Sequence, residues 1–223
     1  MASAARYRLA WPVWALALLL AGLTLAATLG GSSATAPSQA GAQGGDGRYH
    51  VLAYSRTTIA NSHPQAIAAG HDALDDLAAA EDFDVTHSDD AGMFSDHTLR
   101  QFDVVVFLNS NGEGNLNANQ RNAFERWTQR GGGAVRIHAD ANADKAWDWK
   151  RDMMGGGLFN NHPPIQEATV EVVDSSHPAT ADLPASFQWS DEWYNFDADP
   201  RDEVHVLMTV DEDTYNGGEH GPG

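Results

Sequence analysis

Four short apolar runs punctuate the chain between Tyr49 and His138, and the segments between them carry apolar residues every three or four positions. YHVLAYS (Tyr49 to Ser55) has the branched and aromatic content of a strand. From Pro64 to Glu81, Ile67, Gly70, Leu74, Leu77 and Ala78 recur at helical spacing, with Asp72, Asp75 and Asp76 on the opposite side, which predicts an amphipathic helix. FDVTHS (Phe83 to Ser88) reads as a second strand, and Ser95 caps a short helix running through Arg100. DVVVFLN (Asp103 to Asn109) is apolar without alternation, as a strand covered on both faces must be. Asn117 and Gln120 have the spacing of a capping box, so a helix starts there, buries Phe124 and Trp127, and stops near Arg130 at Gly131 to Gly133. AVRIH (Ala134 to His138) is the fourth strand.

Strands alternating with helices specify a parallel sheet covered on both faces, that is, a doubly wound α/β fold. Beyond His138 the rhythm changes. NADKAWDWKRDMMGGGLF reads as a short helix and a Gly-rich turn, and ATVEVVD (Ala168 to Asp174) and EVHVLMTVD (Glu203 to Asp211) read as further strands. The pairs His162-Pro163 and His177-Pro178 fall in loops, where proline holds the preceding residue extended.

The N-terminal stretch changes the domain count. Arg6 and Arg8 precede the apolar run Val13 to Leu29, and ATA (Ala34 to Ala36) or AGA (Ala40 to Ala42) offers a small-x-small cleavage site. The expectation is a secretory signal over residues 1–36, with an uncleaved anchor as the alternative. Residues 37–47 have linker composition, and residues 48–223 form the single folded domain. The absence of Cys excludes disulfides, lipoprotein attachment and thiolate catalysis.

Net charge is −18, and removing residues 1–36 takes away two Arg and no acid, leaving about −20. Such a surface repels nucleic acid and anionic lipid, so neither is expected as a partner, nor is a membrane after signal cleavage. It suits a neutral ligand, a cation, or simply solubility in a salty exterior.

In an open parallel sheet, ligands bind beyond the carboxyl ends of the strands. That singles out Asn109 to Gly114 after the third strand and His138 to Asp140 after the fourth. His138 fits a general base, a metal ligand or a stacking donor, and equally a histidine that satisfies a loop carbonyl. His162 and Glu192 come from segments able to face the same crevice, and two histidines with a carboxylate are the minimal set for a divalent ion such as zinc. None of the three is paired at short spacing. His177 reads as structural, and His50, His71, His87 and His97 as solvated or ordinary positions. No Ser lies in a Gly-x-Ser-x-Gly elbow, and SNGEGN lacks the Lys of a phosphate loop. FQWSDEWYNF (Phe187 to Phe196) sets Asp191 and Glu192 among aromatics. Composition alone reads this stretch as core, since aromatic clusters usually bury.

The ordered motifs GGGAVRIHADA, WDWKRDMMGGGLFNNHPP, VEVVDSSHPATADLP, DEWYNF and VHVLMTVDEDTYNGG closely resemble the ThuA-like, or trehalose-utilisation, family. The resemblance covers the chain from about Arg48 to its end. It implies a flavodoxin-like sandwich similar to that of the class I glutamine amidotransferases, with His138 where those relatives carry their Cys, so glutamine hydrolysis is not implied. It further implies a role with trehalose and related disaccharides through 3-keto sugars, in secreted proteins partnered by or fused to sugar dehydrogenase or glycosidase modules. By the same resemblance His138, His162, Glu192, Trp193 and Tyr194 line the pocket, and the stretch from Phe187 divides, with Phe187, Trp189 and Phe196 as packing, Glu192 facing the crevice, and Trp193 and Tyr194 open to either role. His138 and Glu192 are then the acid–base candidates, Asn109, Asp140, Trp193 and Tyr194 the candidates for holding a small carbohydrate, and His138, His162 and Glu192 the candidate metal ligands. The alternative is a non-catalytic carbohydrate-binding or interaction domain, with Trp189, Trp193 and Tyr194 stacking on sugar rings. The family pattern continues with an Asp-His-Pro segment and a Trp, so the chain is expected to lack the last elements of the domain.

Overall fold

The computed structural model describes residues 47–60, 62–153 and 155–221. The leader and nearly all of the linker expected from the sequence lie outside the described residues. A parallel sheet of order β2-β1-β3-β4 forms the centre, from β1 (His50–Tyr54), β2 (Asp84–Ser88), β3 (Val104–Leu108) and β4 (Gly133–Ile137). Helices α1 (Pro64–Glu81), α2 (Asp96–Leu99) and α3 (Ala118–Gln129) connect the strands, as the periodicity predicts.

Strand alternation divides the core into two layers. Leu52, Tyr54, Val105 and Phe107 point to one face, where Phe124 and Trp127 of α3 and Trp147 cover them. Val51, Ala53, Val104, Val106 and Leu108 point to the other, under Leu74 and Leu77 of α1. All five residues of β3 are buried, which is why its sequence shows no alternation. Gly70 sets how closely α1 approaches, since a Cβ there would stand 2.6 Å from Leu108 Cδ1. Each buried large apolar side chain of these layers contributes roughly 1.5–3 kcal/mol.

The predicted caps form. The Asn117 side chain accepts from Gln120 N at 3.1 Å, and Gln120 Oε1 accepts from Asn117 N at 2.8 Å. Ser95 Oγ accepts from Thr98 N at 3.1 Å. SNGEGN is a structural loop. The buried Asp144 carboxylate accepts from the backbone N–H of Gly114, Asn115 and Leu116, and pairs with Arg121 at 3.0 Å.

After β4 comes a 3-10 turn (His138–Asn142) and then α4 (Asp148–Met153). The remaining strands do not extend the parallel sheet. β5 (Phe159–Asn161) pairs with β8 (Asn195–Phe196), and β6 (Gln166–Val172) lies antiparallel between β7 (Ser186–Asp191) and β9 (Met208–Asp211). The strand read over Glu203 to Asp211 is therefore shorter, starting at Met208. The Leu207 carbonyl instead accepts from Val173 N and Asp174 N, which closes the corner before the ladder begins. No helix among the described residues is long and apolar enough to cross a membrane.

Candidate functional site

The chain turns sharply at the carboxyl end of β4. His138 takes a left-handed backbone, φ 48°, as does Asn109 at the end of β3, φ 52°. Non-glycine residues rarely adopt this region, and where they do the surroundings hold them there. Asn109 is buried, and its Oδ1 accepts from Ala139 N at 3.4 Å, tying the two strand ends together. Asn109, expected to hold a carbohydrate, is thus engaged with the backbone of the neighbouring strand end.

Asp140 was expected to face the crevice and does not. It is wholly buried, with its carboxylate bonded to Lys150 Nζ at 2.8 Å, to Arg136 Nε at 3.0 Å and to Ser110 Oγ. Burying a carboxylate is costly without such partners, so it is committed to them.

Around His138 four other side chains converge. The Tyr194 hydroxyl lies 3.1 Å from His138 Nε2, and the two rings are 4.6 Å apart. Glu192 Oε2 lies 3.2 Å from the same nitrogen and 3.7 Å from Nε2 of His162. His162 stacks on Tyr194 at 5.4 Å, and its Nδ1 donates to the Pro163 carbonyl at 2.9 Å. His63, the residue preceding α1, meets the His138 ring edge-on at 4.8 Å.

Electrostatics fixes the protonation. Burial lowers the pKa of His138, with Asp191 opposing, His63 adding to the depression and Glu192 opposing again. Burial, then the Glu192 and Asp191 charges, raises Tyr194 well above the ordinary phenol range. His138 is thus held neutral and Tyr194 protonated, with the imidazole Nε2 in reach of both the phenol and the Glu192 carboxylate. Glu192 Oε2, a buried oxygen without a hydrogen-bond partner of good geometry, lies 3.2 Å from His138 Nε2.

His138, Glu192 and Tyr194 border a cleft of about 390 Å³ whose lining also includes Arg136, Asp191, Trp193 and Phe196, but neither His63 nor His162. Phe196, expected as packing, thus borders the cleft. Trp193 also borders it, while its Nε1 is anchored by donation to the Gln166 carbonyl at 2.9 Å.

One nitrogen each from His63 and His138 and one Glu192 oxygen lie within 4.8 Å of one another, and this set would hold a divalent ion. His63 takes the place expected for His162, which approaches only through Glu192. The unpartnered buried Oε2 beside a histidine held neutral is what a cation would relieve, so the donors fit such a group.

His63 escaped the sequence reading, although it carries a readable signal. It is a third His-Pro pair, with Pro64 at the first position of α1. Arg136 also went unnoticed, because a cation inside an apolar strand gives no sign of which face it serves. His177 is structural as read, accepting from Ala179 N at 3.1 Å. His71 and His87 are not ordinary solvated positions: their rings lie 4.3 Å apart, and His87 Nε2 is 2.8 Å from Asp75 Oδ1.

A four-stranded parallel sheet with helices on both faces, bearing a His, carboxylate and phenol cluster beyond its carboxyl ends, defines an α/β domain of the doubly wound class. Residues 50–222 match the family model ThuA, trehalose utilisation, and the chain belongs to that family. It is similar in structure to a ThuA-like protein from Bacteroides uniformis, with TM-score 0.68, 29% identity, and coverage of 87% of this chain and 77% of that one. A ThuA-like protein from Parabacteroides merdae shares the fold, with TM-score 0.60, 21% identity, and coverage of 78% and 73%. No match was found among curated proteins. Membership links the domain to carbohydrate metabolism.

Proposed function

We propose that this is a secreted carbohydrate-processing domain that performs acid–base chemistry on a disaccharide or 3-keto-sugar derivative supplied by a sugar dehydrogenase. The observation that carries the reading is the convergence of Tyr194, His138 and Glu192 at the mouth of the cleft. The neutral His138 is the base: its Nε2 lone pair takes a proton from the carbon beside the ketone. Tyr194, kept protonated by burial and the two carboxylates, yields that lone pair to the incoming C–H bond and turns its own O–H on the substrate, to which His138 returns the proton. Trp193 and Phe196 give the sugar ring apolar surface on which to lie.

His63, His138 and Glu192 would hold a divalent ion such as zinc, which when bound supplies polarisation of a substrate oxygen and occupies the His138 lone pair, so the base role of His138 belongs to the ion-free site. The test is incorporation of deuterium from D2O beside the ketone of a 3-keto-disaccharide, followed by NMR with and without zinc. Exchange that disappears in His138→Ala is expected, and no exchange in either condition overturns the reading.

The aromatic lining also favours a second reading, a sugar-binding module without turnover. It predicts disaccharide binding that survives loss of both His138 and Glu192.

A further inference from the structure

Arg136 borders the cleft but takes no part in the cluster around His138. It lies two residues earlier on β4, opposite Phe107 in register. Its Nε donates to Asp140 Oδ2 at 3.0 Å and its Nη2 to the Asp140 carbonyl at 3.2 Å. The other Asp140 oxygen accepts from Lys150 Nζ at 2.8 Å, and Lys150 lies over the Phe107 ring at 4.5 Å. Burial lowers the pKa of Lys150, with Asp140 the first group opposing it.

One edge of the guanidinium is therefore locked by a wholly buried carboxylate, itself held by a buried lysine. No hydrogen bond or ion pair among the described residues engages Nη1. The Arg136 side chain keeps 17% exposure, at the cleft. A cation fixed on one edge, with its remaining N–H groups open to a cavity, is a preorganised receptor for an oxygen that gains negative charge. The opposing Asp191 and Glu192 disfavour a ligand that arrives as an anion, so the oxygen belongs to a neutral molecule and becomes charged during reaction.

We propose that Arg136 is the oxygen-holding catalytic residue of this site, its Nη1 hydrogens receiving the carbonyl oxygen of a keto-sugar and stabilising the enolate formed there. The inference rests on the acid–base reading above. The C–H bond beside the ketone breaks, its proton passes to His138 Nε2, its electron pair forms the carbon–carbon double bond, and the carbonyl π pair comes to rest on the oxygen facing Arg136. Return of the proton to either end restores the ketone or gives its enediol, with no oxidant or reductant consumed. Asp140 and Lys150 act through Arg136 and are positioning residues.

The experiment is deuterium uptake from D2O by a methyl 3-keto-glucoside, comparing the unmodified chain with Arg136→Met and Arg136→Lys and fitting kcat and KM separately. Arg136→Met is expected to lower kcat about a hundredfold while KM moves by less than about threefold. Arg136→Lys, which keeps the charge beside Asp140, is expected to retain the fold and recover part of the rate. Wild-type exchange in Arg136→Met overturns the assignment and leaves the acid–base reading standing. A loss confined to KM overturns it as well, and no exchange by the unmodified chain overturns both. Should Arg136→Met fail to fold, Arg136→Lys decides: an undiminished kcat rejects the role, and a loss of about tenfold or more supports it.

Discussion

The Tyr194 hydroxyl lies 3.1 Å from His138 Nε2 while the Tyr194 ring stacks on His162 at 5.4 Å. One phenol therefore orients the imidazole at the end of β4 and packs on another from a separate loop. Removing the oxygen alone separates the two roles. Tyr194→Phe is expected to lower deuterium exchange roughly a hundredfold and stability by only about 1 kcal/mol. NMR exchange rates and thermal melts check both.

Zinc binding distinguishes His63 from His162. His63 shares a 4.8 Å donor set with His138 and Glu192, whereas His162 approaches Glu192 Oε2 alone, at 3.7 Å. Titration calorimetry is expected to show affinity falling at least about a hundredfold in His63→Ala and less than about tenfold in His162→Ala. Equal losses would remove His63 from the donor set.

The buried Asp140 answers both Lys150 and Arg136. Asp140→Ala leaves two cations without their anion, at an expected cost of about 3–5 kcal/mol. Denaturant titration followed by tryptophan fluorescence measures it. A change below about 1 kcal/mol would show that water or the Phe107 face already satisfies the lysine.

Acid should weaken the fold through His71. Its pKa is lowered from 6.5 by burial first and then by the His87 ring, so the unfolded chain binds its proton more readily than the folded one. The stability associated with a neutral His71 is complete above about pH 6.5 and is lost as pH falls through the lower folded value. His138 is shifted in the same direction, and chiefly by the same cause. Melting temperature is expected to decline between pH 7 and 5, less steeply in His71→Gln. An identical slope in that variant would exclude His71 as the source.

The central sheet was legible because each strand and helix wrote its own period. Val104 to Leu108 had to be covered twice, and Asn117 with Gln120 announced a helix start that the hydrogen bonds reproduce. His138 and Glu192 were legible through strand position and motif order, and they do meet. Asp140 was misread because neighbours in sequence on a 3-10 turn point to different sides, and only the tertiary partners Lys150 and Arg136 reveal which way it faces. His63 was missed because it lies 75 positions from His138, and nothing local to either marks that separation as a contact.

The two histidines that meet at 4.8 Å both occupy the left-handed region, His63 at φ 49° and His138 at φ 48°. Glycine would relax either position, so selection for thermal tolerance alone would reward replacing the imidazoles that the cleft needs. A melting curve that improves in His63→Gly or His138→Gly would mark the price this molecule accepts for aiming two side chains at one point. Stability engineering of this domain should begin elsewhere, on the wet side of α1, and leave those two corners alone.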